Sequence, residues 1–176
     1  GKKEDGLGDL AIYQGYVKML YTTGMVGANG GYYAYPEGGF KASFPPDAPP
    51  HWLEQMLVLG RGHALFSWLE PFLRQGDLLP GPDLHAWSKD RPAYEFPTGS
   101  KEVRVVARKL RIQPHWLITA WAACGQEKDV AVAIPVLGKV TLRARAAGSV
   151  YHAHRDGEAV TLTLLDENAV LPTATT

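Results

Sequence analysis

Six short apolar runs follow one another between Val103 and Leu165, each five to ten residues long and closed by turn-forming residues, with no helical stretch between them. That rhythm constrains the chain more than any other feature. Strands recurring at this interval without crossover helices pair antiparallel, and the expected product is a β-sandwich. The runs are Val103 to Ile112, Trp116 to Cys124, Val130 to Ile134, Val140 to Ala144, Ser149 to His154 and Val160 to Leu165, with Val170-Leu171 a further candidate. Alternation is clearest in Val130/Val132/Ile134 and Val160/Leu162/Leu164, and Asp156-Gly157 supplies a hairpin turn.

The preceding residues are of another kind. Fifteen of the 18 aromatic residues lie before Ser100. Asp9 is placed to cap a helix over 9–23 in which Leu10, Tyr13, Val17 and Leu20 share a face, and Gly24 stands where a left-handed C-terminal cap is wanted. Residues 25–36 are small and aromatic, too glycine-rich for a helix, and read as a buried strand. A loop to Pro50 follows, then helical periodicity through Trp52, Met56, Leu65, Trp68 and Phe72, with Gly60 and Gly62 marking a kink and Gly76 and Pro80 the end. Trp52, Trp68 and Phe72 are expected in a core. Residues 76–100, rich in proline and aromatics, read as an ordered connector, which divides the chain into 1–75, 76–100 and 101–176.

Composition narrows the function. Formal charge is zero, with 8 basic and 11 acidic residues in 1–100 and 10 and 7 thereafter, so neither half carries the polycationic surface of a nucleic-acid binder. No run reaches the roughly 18 apolar residues of a membrane span. Cys124, the single cysteine, excludes an intrachain disulfide and a cysteine-rich zinc site; it reads as an inert thiol within a strand. Gly60-Arg61-Gly62 and Leu137-Gly138-Lys139-Val140-Thr141 lack the rest of a nucleotide-binding pattern. His152 and His154 share one side of a strand without a third ligand nearby in sequence, and His51, His63, His85 and His115 show no metal spacing. The reading therefore calls for no cofactor and no metal. The N-terminus, Gly1-Lys2-Lys3-Glu4-Asp5-Gly6, offers neither a secretory signal core nor an initiator Met, and a piece of a longer product is expected.

Helix, aromatic strand and loop, helix, then a sandwich with Trp116-Leu117-Ile118-Thr119-Ala120-Trp121 and Asp129-Val130-Ala131-Val132-Ala133-Ile134-Pro135 resembles the C-terminal region of TIM-barrel glycoside hydrolases. The resemblance implies an α/β plus all-β fold class: a C-terminal fragment of a (β/α)8 barrel followed by an antiparallel β-sandwich. Residues 9–23 would be the penultimate barrel helix, 25–36 the eighth strand and 50–75 the last helix. A whole barrel takes about 250 residues, so the N-terminal portion of the same protein, or a companion chain, is the expected partner, and a carbohydrate the expected substrate.

On a barrel strand, Asn29, Tyr33, Tyr35 and Glu37 would share one side, with Glu37 at the C-terminal mouth. Glycoside hydrolysis needs two carboxyl groups. Glu37 is the candidate here, and the resemblance puts the main catalytic pair outside this chain. Asn29, Tyr33, Tyr35 and Phe40 are candidate sugar contacts, because flat aromatic rings match the apolar faces of sugars; Tyr32 and Phe44 fit simple packing better. Two other classes stand beside this reading, a non-catalytic carbohydrate-binding module and a structural scaffold.

Overall fold

The computed structural model describes residues 10–24, 50–80 and 94–165, leaving aside the side chains of 50–53 and 55. Among these residues three helices, α1 (Leu10–Thr23), α2 (Pro50–Trp68) and α3 (Glu70–Gln75), precede seven strands. The strands are β1 (Gly76–Leu78), β2 (Val103–Leu110), β3 (His115–Ala122), β4 (Lys128–Ile134), β5 (Gly138–Ala144), β6 (Ser149–Asp156) and β7 (Ala159–Leu165). A five-stranded sheet runs β1-β2-β3-β6-β7, and β4-β5 form a separate two-stranded sheet. All strand pairings are antiparallel, and the described strands form no closed barrel.

Burial shows how the layers stack. Seven of the eight residues of β3 are buried, so this strand is covered on both faces. Trp116, Ile118, Ala120 and Ala122 meet Val130, Val132, Ile134, Val140 and Leu142 of the hairpin, while Leu117 and Trp121 point the other way, toward the helices. In contrast, β4 and β5 bury only alternate residues, the signature of a hairpin with one wet face. The Tyr151 hydroxyl bridges the two sheets, donating to the Arg143 carbonyl and accepting from its N–H, each at 3.0 Å. The turn at Asp156-Gly157 forms as the sequence predicts, with Gly157 at φ 58°.

Helix α1 lies against the outer face of the five-stranded sheet, and none of its residues is exposed. Gly15 makes that approach possible. A Cβ there would stand 2.2 Å from the Trp121 ring and 2.4 Å from the Ala146 carbonyl oxygen. At the opposite wall Gly148, at φ 71°, leaves room for the Gly15 backbone. Thr22 donates to the Lys18 carbonyl and meets Thr119 at 2.6 Å, which leaves Thr119 to donate across the interface. Arg108 then closes the assembly from β2. Its guanidinium donates to the carbonyls of Thr22 (3.0 Å), Phe72 (3.1 Å) and Gly76 (3.2 Å), so one cation caps the C-terminal ends of α1 and α3 and the start of β1. Such ends carry unsatisfied carbonyls and partial negative charge.

Several expectations are corrected. The break in the second helical region falls at Leu69, not at the glycine pair, because Pro71 has no N–H to continue the ladder. Gly62 instead admits Val17 of α1, whose Cγ1 would be 2.9 Å from an added Cβ. Trp68, expected in the core, is 71% exposed, whereas Phe72 is buried as expected. Cys124 lies beyond the end of β3 and is exposed. Within 76–100, Gly76–Leu78 is an edge strand paired with β2, and Phe96 is buried, its N–H bonded to the Val105 carbonyl at 2.9 Å.

Because the contacts of Gly15 are ring and backbone atoms that have no room to yield, Gly15→Ala is expected to destabilise the protein by about 1–3 kcal/mol. Gly60→Ala, where an added Cβ meets nothing within 4 Å, should gain up to about 1 kcal/mol in urea denaturation.

Candidate functional site

The residues predicted to contact substrate, Asn29, Tyr33, Tyr35, Glu37 and Phe40, lie outside the described residues. So does the predicted strand over 25–36. The described residues fix its two flanks: the chain leaves α1 through Gly24, which adopts φ 77° and donates its N–H to the Tyr21 carbonyl at 3.0 Å, and re-enters helix at Pro50.

Beside that exit, α1, α2 and α3 enclose a groove of about 350 Å³ lined by Tyr21, His63, Phe66, Ser67, Glu70 and Leu73. Helical spacing explains its polar wall, since His63, Ser67 and Glu70 follow one another at intervals of four and three residues. Tyr21 stacks on buried Phe66 with ring centres 4.8 Å apart, and its hydroxyl lies 2.9 Å from His63 Nδ1. Burial raises the Tyr21 phenol above its ordinary range, so it stays protonated and can donate to the imidazole at neutral pH. The Ser67 hydroxyl donates to the His63 carbonyl at 2.8 Å, and Glu70 pairs with Arg74 at 3.3 Å. This wall presents hydrogen-bonding groups over an aromatic floor, with its carboxylate paired to Arg74. It does not supply the two free carboxyl groups of glycoside hydrolysis.

A second polar cluster was not evident from sequence spacing. The antiparallel register sets His115 of β3 opposite His154 of β6, and His152 is two residues back on the same face. His115 Nδ1 and His152 Nε2 are 2.8 Å apart, with ring centres at 5.1 Å and planes only 8° apart. That centre separation leaves little beyond the nitrogen contact and the two ring radii, so the rings meet edge to edge in a nearly collinear N–H···N bond. His154 stacks on His115 at 4.4 Å, and the ring centres of Phe72 of α3 and His152 are 6.0 Å apart with their planes at 64°. Desolvation, with the neighbouring imidazoles second, lowers the pKa of both His115 and His152. Nothing in a linear sequence gives the β3–β6 register, and the shared side of His152 and His154 was the one available signal. Among the described residues no group of three or more His, Cys, Asp or Glu is arranged to hold a metal ion, and no helix is long and apolar enough to cross a membrane.

Comparisons with protein-family models, with curated proteins and with solved structures found no match to this chain.

Replacing Tyr21 by Phe removes the bond to His63 but keeps the stack on Phe66. Its expected cost is about 1 kcal/mol, against about 3–5 kcal/mol for Phe66→Ala, both read from equilibrium unfolding.

Proposed function

We propose that this chain is the C-terminal portion of a glycoside hydrolase-like protein. In this reading the segment around residues 29–44 contributes aromatic contacts to a carbohydrate substrate, and the sandwich is structural. The main catalytic carboxylates are then supplied by an N-terminal portion of the same protein or by a companion chain. One observation carries the reading: the two helices that bracket the aromatic segment are fastened to the sandwich, α1 through Gly15, Thr22 and Arg108, and α2 through its crossing with α1 at Gly62. A sandwich attached in this way sets where the aromatic segment begins and ends, as a buttress for a substrate loop must.

Two further features support it. Trp116 and Trp121 are both buried, at 0% and 9% exposure, so the sandwich tryptophans serve packing and are not free to stack on sugar. That weighs against the sandwich acting as a carbohydrate-binding module. On α2, Leu57 and Trp68 are 59% and 71% exposed and lie on a common helical stripe. A completing segment would cover these side chains and their exposed neighbour Met56.

The test is turnover on a glycan panel by the protein assembled with its N-terminal portion. Tyr35→Ala is expected to weaken substrate use about tenfold through the lost ring contact, and Glu37→Gln to reduce turnover. Activity unchanged in both variants would remove this segment from the site, and no turnover of any glycan by the assembled protein would end the hydrolase reading.

A further inference from the structure

Histidine is the side chain whose charge changes near neutrality, and the three that converge on one end of the sheet are bonded in a way that tolerates few protons. A collinear bond between His115 Nδ1 and His152 Nε2 needs one proton between the two nitrogens. With a second, both facing nitrogens carry hydrogen and the bond is lost. His154, stacked at 4.4 Å on His115, adds like charge when it is protonated.

Most charged groups on the surrounding elements are engaged. On α3, Glu70 pairs with Arg74. On β2, Arg108 is bound to three carbonyls, and Lys109 donates to the Leu110 carbonyl and lies over the Trp116 ring. Asp77 of β1 pairs with Arg111. On β6, Arg155 donates to the Gly157 and Val136 carbonyls. On β7, the residues opposite His152 and His154 are Thr163 and Thr161, which are neutral. Asp156 follows His154 on the same side of β6, at the turn, and the shifts of His115 and His152 come from burial and the neighbouring imidazoles, with no carboxylate among their causes.

The cluster also sits at a joint. Phe72 is the buried residue of α3, and its ring meets His152 at a steep angle while its carbonyl accepts from Arg108. We propose that His115, His152 and His154 form an acid-sensitive latch, holding α3 against the sheet while one proton lies between the facing nitrogens of His115 and His152 and releasing it as further protons bind.

The sign follows from linkage. His115 and His152 are held below the ordinary value of 6.5 in the folded protein, so their contribution to stability is complete above that value and is lost as pH falls through it toward the folded values. The test combines ring NMR titration of the intact 176-residue protein with urea unfolding at about pH 7.5 and about pH 5.5, a window in which histidine charge changes. His115 and His152 are expected to titrate below the ordinary value, with the amide signals of Glu70 and residues 72–75 shifting at the same midpoint. Acidification should raise the unfolding constant several-fold, and His115→Gln and His152→Gln should lose most of that increase. Comparing each variant with itself at two pH values removes any constant loss of stability from the substitution. Ordinary titration of both rings, amides of α3 that do not respond, or an undiminished pH effect in the variants would each overturn the latch.

Discussion

The close seat of α1 on the outer face of the five-stranded sheet is the constraint on which the rest of the structure depends. Strand β3 is buried on both sides, so the hairpin alone cannot cover it, and a helix must cover the second face. Gly15 and Gly148 let the helix backbone come within reach of the Trp121 ring and the turn before β6. At the far end, Arg108 and the Thr22–Thr119 pair satisfy polar groups that this seating removes from water. Because the same guanidinium also holds the Phe72 and Gly76 carbonyls, the positions of α1, α3 and β1 are coupled through one side chain.

That coupling gives the helical region its place in any function. The groove at Tyr21 and His63, the exit of the aromatic segment through Gly24 and the histidine cluster beside Phe72 all lie on the helical side of the sheet. The opposite side is the hairpin, whose outer residues are polar or exposed. Chemistry and regulation are therefore to be sought where helices and sheet meet, with the sandwich interior acting as a packed base.

Much of the sandwich was legible in the sequence because its information is local. A period of two in Val130/Val132/Ile134, turn formers at regular spacing and an Asp-Gly hairpin are each sufficient to place a strand or a turn. The helix over 9–23 and its glycine cap were legible for the same reason. What failed depended on the third dimension. Trp68 fits the helical repeat but falls on the face of α2 turned from the sheet, and the Gly60/Gly62 pair looked like one breaker although Gly62 serves a helix crossing and Gly60 faces open space. Cys124 looked like a strand residue because β3 ends two residues earlier than its apolar run implies. His115 joined His152 and His154 only through cross-strand register, and Arg108 gave no signal at all, since its partners are backbone carbonyls far away in sequence. The candidate sugar contacts from Asn29 to Phe40 rest on sequence pattern and resemblance alone.

Helices and strands therefore share one cooperative core. Native-state hydrogen exchange on the intact protein tests it most directly, by comparing the amides of α1 with those of β3 as denaturant is raised. Exchange of both sets through a single opening of equal free energy is the predicted result. Protection of β3 that persists while α1 exchanges through a separate, much smaller opening would contradict it.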